Sequence, residues 1–166
     1  MSKISTSFSC GSHVVYPAHG VGRIKSIETQ EVAGHSLKMF VISFEKDRMT
    51  LRLPVAKANT SGLRPVSSSK ELAKAIHALK GRARVRRNMW SRRAQEYETK
   101  INSGNPVSLA EVVRELYRTA SQPEQSYSER QVYQNALIRL AGEIAAVESI
   151  DPEHAVQKVE TILAAA

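Results

Sequence analysis

The sequence contains one cysteine, Cys10, in 166 residues. A lone thiol forms no internal disulfide, and without a CxxC neighbour it belongs to neither a zinc site nor a dithiol redox motif. Long apolar runs are also missing. No stretch reaches the roughly 18 apolar residues of a transmembrane helix. Residues 1–12 are polar and lack the apolar centre of a secretory signal. These absences predict a cytoplasmic chain, with residues 1–10 as a flexible leader. Enzyme signatures are absent too: there is no GxGxxG, no GxxxxGK[ST] and no GxSxG. His13, His19 and His35 do not follow an HExxH spacing, and isolated histidines on turns are usually structural or solvated. Glu111, Glu115, Glu143 and Glu148 fall on predicted helices and read as solvated faces, with Glu111–Arg114 and Glu115–Arg118 as i,i+3 ion pairs. Nothing assembles a nucleophile, a base and an oxyanion site. The expectation is a non-enzyme with no cofactor, no metal ligands and no catalytic residues.

Charge is plentiful, and its placement is uneven. The formal net charge is +8, but residues 80–100 carry eight Lys/Arg against two Asp/Glu, while residues 101–166 carry five against nine. A basic block of this density suggests a polyanion, usually nucleic acid. The competing reading is a solvated face or a disordered arm, and composition does not choose between them. The hydrophobic share of 42% supports a packed core.

Two hydrophobic periods divide the chain. Residues 13–16, 21–27, 37–44 and 49–53 are β-prone or alternate apolar with polar. Gly20, Gly34 and Lys46-Asp47 suit the turns between them. Four or five strands this short predict a small, strongly bent barrel of SH3/Tudor type. After Pro65 the period becomes helical. Ser68 with Glu71 forms a capping box ahead of Leu72, Ile76 and Leu79. Ser108 with Glu111 reads as a second box, followed by Leu109, Val112, Val113, Leu116 and Tyr117 on one face. Another helix is predicted over 128–149. Asp151-Pro152 then caps a last one carrying Val156, Val159, Ile162 and Leu163. The predicted fold is α+β in two domains, a β-barrel over 11–66 and a compact bundle of four to five helices over 67–166.

The most informative segment is Lys80-Gly81-Arg82-Ala83-Arg84-Val85-Arg86-Arg87-Asn88-Met89-Trp90-Ser91-Arg92-Arg93, where the single tryptophan lies inside the densest positive charge. Arginines engage phosphates bidentately. An aromatic side chain among them can wedge against an unstacked base step. On composition alone, Trp90 as the anchor of a helical core has even weight, although flanking guanidinium groups argue against deep burial. In the β half, Arg23, Lys25, Arg52 and Arg64 lie on or beside strands. A small barrel with open edges can accept a partner strand, and a solvated outer face is the plainer alternative.

Three stretches carry a resemblance to the CarD/CdnL family of bacterial RNA polymerase-binding regulators. Val14-Val15-Tyr16-Pro17-Ala18-His19-Gly20-Val21-Gly22 resembles the family's opening strand and turn. Leu51-Arg52-Leu53-Pro54 resembles the strand ending the barrel hairpin. Trp90-Ser91-Arg92-Arg93 with Leu109-Ala110-Glu111-Val112-Val113-Arg114-Glu115-Leu116 resembles its WSRR … AEVVRDL signature. The resemblance implies that residues 11–66 form a Tudor-like domain that binds the polymerase β subunit. Arg52 matches a polymerase-contacting position, with Gln30 standing where some members carry arginine and Arg23, Leu51 and Leu53 beside them. It also implies that residues 67–166 bind promoter DNA, largely independently of sequence, at the upstream edge of the melted bubble. Trp90 matches the wedging tryptophan, and Arg92 and Arg93 match DNA-contacting positions. Gln95 stands where some relatives have a basic residue. Arg84, Arg86 and Arg87 join the DNA-binding candidates on their charge.

The partners implied are therefore RNA polymerase and promoter DNA, with no membrane and the chain a monomer, held on the nucleoid through polymerase. Two other readings use the same residues. One is a free-standing architectural nucleic-acid-binding protein. The other is a protein adaptor with Trp90 in its core.

Overall fold

The computed structural model describes residues 8–44, 48–58, 60–81, 89–118 and 126–165. Most of the leader, the Lys46-Asp47 turn, and Arg84, Arg86 and Arg87 lie outside the described residues. The chain divides into two compact units, Met1–Val66 and Ser67–Ala166.

The first unit is an antiparallel sheet of β1 (His13–Tyr16), β2 (Gly20–Val32), β3 (His35–Phe44), β4 (Met49–Pro54) and β5 (Arg64–Pro65), ordered β4-β3-β2-β1-β5. This is the small β domain of SH3/Tudor type that the alternation in residues 13–66 predicts. Cross-strand partners Ile24 and Ile42, and Phe40 and Leu53, point to one side. There they join Val14, Phe44, Ala58 and Leu63 in a single core. A bulge between Ile24 and Ser26 lets β2 bend over that core.

Two features of the opening motif acquire physical reasons. Gly22 is buried beneath β3, where a Cβ would lie 2.8 Å from both Ile42 Cγ2 and Phe44 Cε1. His19 stacks on Tyr16 with ring centroids 5.5 Å apart and tilts against Phe44 at 5.5 Å. It is an exposed residue of the β1–β2 turn whose ring packs on aromatic neighbours, which answers the question the isolated histidine raised.

The β2–β3 hairpin is longer than the alternation suggested. β2 runs on through Glu28-Thr29-Gln30-Glu31 to Val32, and β3 starts at His35. Ala33 and Gly34 close it, both with positive φ (53° and 81°), the geometry of a type I′ turn. Residues 27–38 are exposed on both faces of this arm, so no buried side imposed a period of two there.

The second unit holds five helices among the described residues: α1 (Ser69–Leu79), α2 (Trp90–Asn102), α3 (Pro106–Leu116), α4 (Tyr127–Glu148) and α5 (Pro152–Ala165). Helix α3 is central. Its Leu109, Ala110, Val112, Val113 and Leu116 are buried, and it packs against α1, α2 and α4. Leu72, Leu79, Leu140, Ile144, Val159 and Leu163 complete the core. The Ser68–Glu71 capping box is formed in both directions. Helix α4 ends on Ser149 in the left-handed conformation.

Three local expectations are corrected. Helix α3 begins at Pro106, capped by Asn105, whose Oδ1 accepts from the Val107 N–H at 2.9 Å. An Asn cap with Pro at the first helical position starts the helix ahead of Ser108. Glu111, freed from capping, pairs with Lys100 at 2.9 Å. Arg118 likewise reaches Glu129 at 3.7 Å, an ion pair between sequence-distant residues, and donates to the Glu115 carbonyl rather than to its side chain. Glu143 is not on a solvated face. It is 1% exposed, and its Oε1 accepts from both the N–H and the hydroxyl of Ser67.

Candidate nucleic-acid and polymerase interfaces

Helix α2 opens with Met89-Trp90-Ser91-Arg92-Arg93. Met89 is the N-cap and makes no side-chain cap. It is 76% exposed. Trp90, the first helical residue, is partly buried and rests against the helical core. It is therefore neither a buried anchor nor a free side chain. Its ring centroid lies 6.2 Å from that of buried Tyr97. The flanking arginines did predict that it would escape deep burial.

Arg92 and Arg93 differ in environment. Arg92 is exposed, and its side chain makes no hydrogen bond or ion pair among the described residues; its backbone N–H donates to the Met89 carbonyl at 3.1 Å. Arg93 is partly buried, with its guanidinium carbon 5.6 Å from the Trp90 centroid and 5.7 Å from that of Tyr97. Its terminal NH2 donates to the Tyr97 hydroxyl at 3.2 Å. Burial is the main cause raising the Tyr97 pKa above its ordinary value, and the Arg93 bond works in the opposite direction. The aromatic contacts of Arg93 were available in the sequence as i+3 and i+4 spacings, whereas counting charge grouped it with Arg92. Gln95 is exposed one turn further on.

The first turn of α2 carries no acidic residue. Two arginines at a helix N-terminus oppose its dipole, at about 0.3–1 kcal/mol each when exposed. Local stability would favour carboxylates there. An anionic partner reverses the sign of this effect, so the arrangement suits polyanion binding.

In the β unit, strand parity sorts the other candidates. Arg52 faces Val41, Gln30 faces Leu37 and Arg23 faces Ser43, all on the side away from the core. Arg52 is about half exposed and lies 3.7 Å from Glu28 Oε2. Gln30 is exposed. The Arg23 Nε–H donates to the Gly11 carbonyl at 3.2 Å. Leu51 and Leu53 do not join this surface. Opposite parity turns both inward, and Leu53 is a core residue at 8% exposure. They hold β4 in place and leave Arg52 to face outward.

Residues 74–160 match the family described as CarD, C-terminal domain, and residues 8–67 match the CarD-like/TRCF RID domain. The chain belongs to the CarD family. It is 31% identical over 143 residues to "Putative transcription factor YdeB" of Bacillus subtilis (strain 168), covering 86% of this chain and 94% of that protein. It is also similar to the solution NMR structure of the 72-residue N-terminal domain of Myxococcus xanthus CarD, at 34% identity over 35% of this chain and 77% of that one, with a TM-score of 0.31. As a CarD-family protein the chain is a transcription regulator, of a family that is not enzymatic. The RID match contains Arg23, Gln30 and Arg52, and the C-terminal match contains Trp90, Arg92 and Arg93. Among the described residues no helix is long and apolar enough to cross a membrane, and no cluster of His, Cys, Asp or Glu is arranged to hold a metal ion.

Proposed function

We propose that this CarD-family chain docks on the RNA polymerase β subunit through the outer face of its β domain and stabilises the open promoter complex with the tip of α2. The observation that carries this reading is the pairing of exposed Met89 with partly buried Trp90 at a helix start whose only nearby first-turn charges are positive. Such a tip offers an apolar wedge and phosphate contacts together. For docking, Arg52 lies on β4, a terminal strand of the sheet order, so its backbone edge can accept a partner strand while Arg52 selects an acidic one.

Mechanistically, docking raises the local concentration of the tip beside promoter DNA. The tip has a site only where base steps are already unstacked, because opening a step in intact duplex costs about a few kcal/mol. It therefore binds the melted state better than the closed one, and a ligand shifts an equilibrium only by that difference. A difference of about 1.4 kcal/mol changes open-complex occupancy tenfold. Phosphate and shape contacts make the DNA interaction weak alone, salt-sensitive and largely independent of sequence.

The test is Trp90→Ala in the full chain, scored for polymerase binding without DNA and for open-complex lifetime. Retained polymerase binding with a shortened lifetime is expected. An unchanged lifetime refutes the wedge. The Arg-rich block also fits a free-standing architectural protein, and tight duplex binding without polymerase would replace docking with that reading.

A further inference from the structure

We infer that Arg93 is a positioning residue that acts through Trp90, holding the indole in place for DNA rather than contacting phosphate itself. The inference rests on the reading of Trp90 as the side chain presented to DNA.

Spacing is the first support. Arg93 is three residues after Trp90 and four before Tyr97, so two turns of α2 place all three on one stripe. Distance is the second. The guanidinium carbon lies 5.6 Å and 5.7 Å from the two ring centroids, inside the roughly 6 Å range of cation–π attraction. The third is the fixed base of the stack. Tyr97 is 4% exposed, packed in the core with Ile101, and its hydroxyl accepts the Arg93 NH2 at 3.2 Å. The fourth is desolvation: Arg93 Nε is shielded from solvent with no hydrogen-bond partner among the described residues. A guanidinium bound in this way has already spent part of its hydrogen-bonding fork on the protein, while Arg92 next to it has not.

The contact answers a mechanical problem. Trp90 is the first residue of its helix, and a partly buried indole at a helix start keeps one rotamer only where a neighbour holds it. A wedge that must be ordered on binding loses affinity to that ordering. Arg93 removes the cost in advance by tying the indole to Tyr97. Lysine would not do the same work. It keeps the charge, but it lacks the planar group that stacks on aromatic faces.

The full-length protein offers a direct probe, because Trp90 is its single tryptophan and emission excited beyond the tyrosine band reports on it alone. Arg93→Lys and Arg93→Gln are compared with wild type, with far-UV circular dichroism and the urea midpoint confirming that each is folded. Tyr97→Phe, which keeps the ring and deletes the acceptor hydroxyl, provides a further variant that leaves Arg93 itself intact. The expected result is faster indole rotation and stronger acrylamide quenching in all three, with the smallest change in Tyr97→Phe. On promoter complexes, Arg93→Lys shortens the open-complex lifetime about tenfold despite its retained charge. Arg93→Gln leaves the salt slope of DNA binding at the wild-type value. A direct phosphate contact predicts instead that Arg93→Lys is nearly silent and that Arg93→Gln lowers the slope by about one. Unchanged indole mobility in folded Arg93→Lys, or that lowered slope, overturns the inference. Failure of the wedge itself reads out separately. There Trp90→Ala leaves the open-complex lifetime unaltered, whatever the indole mobility of the Arg93 variants.

Discussion

Glu143 on α4 accepts two hydrogen bonds from Ser67 through one carboxyl oxygen, at 3.1 Å from the backbone N–H and 2.8 Å from the hydroxyl. Both residues are buried, at 1% and 5% exposure, and 76 positions separate them in the sequence. The carboxyl thus ties the residue just before the α1 capping box to the longest helix of the unit. A buried donor left without an acceptor costs about 1–3 kcal/mol. Glu143→Leu removes the acceptor of both bonds and is expected to destabilise the helical unit by about 1–3 kcal/mol. Glu143→Gln keeps an acceptor oxygen in place and costs less, and Ser67→Ala deletes one bond at about 1 kcal/mol. Urea unfolding of the three variants checks the ranking, and equal midpoints would show that the tie contributes nothing.

Gly22 is required by space rather than by backbone conformation. A methyl group there meets Ile42 and Phe44 side-chain atoms at 2.8–2.9 Å, closer than carbon atoms pack. Both neighbours are fully buried and have nowhere to retreat. Overpacking of this kind costs about 1–3 kcal/mol. Gly22→Ala is therefore expected to destabilise the β domain by that amount, and Gly22→Ala with Phe44→Leu to recover part of it. A single substitution that leaves thermal stability unchanged would show that β3 can yield.

These two residues also mark what could be seen in the sequence and what could not. Periodicity located the strands and helices wherever one face is buried, as in residues 21–27 and 109–116. It failed from Glu28 to Ser36, because an arm exposed on both sides leaves no alternation to detect. It also failed at β5, a two-residue strand that pairs with Val14 and Val15 and is too short to show a period. Glu143 looked solvated because its partner lies far away in the chain, and no local pattern encodes a tertiary hydrogen bond. In the candidate site, composition isolated Trp90 among its arginines. It did not separate Arg92 from Arg93, since charge is a property of the residue and ring contact a property of the fold. For Leu51 and Leu53 the information was present: alternation with Arg52 already assigns them to the opposite face.

Alkaline pH tests the helical core. Burial is the first cause raising the pKa of both Tyr97 and Tyr133 above the ordinary 10, with Glu160 the second contributor at Tyr133. In the unfolded chain these phenols lose their protons near 10, while in the folded chain they keep them. Above that pH the folded state binds more protons than the unfolded one, so unfolding free energy falls as pH rises. The stabilisation is whole below pH 10 and is lost above it. Tyr133→Phe is expected to flatten this decline, and Tyr97→Phe to flatten it in part. Urea midpoints measured from neutral pH to above 10 check the slope, and a Tyr133→Phe protein that declines as steeply as wild type would reassign the alkaline sensitivity elsewhere.

Arg52 can be tested without disturbing the fold. Its ion pair with Glu28 spans 3.7 Å between side chains that are 52% and 45% exposed, and exposed pairs are worth about 0–1 kcal/mol. Arg52→Glu should therefore leave the unfolding midpoint of the β domain nearly unchanged. At an interface the same reversal sets like charges against each other, which costs several kcal/mol and moves affinity by more than tenfold. The expected result is a folded protein that no longer binds purified polymerase. Gln30 lies on the same outer face, four cross-strand rows along the hairpin. Gln30→Arg adds a cation to the surface that Arg52 presents and is expected to raise polymerase affinity, more strongly at low salt than at high. If folded Arg52→Glu binds as tightly as wild type, the docking surface is not on this face, and β5 at the opposite end of the sheet order becomes the next candidate.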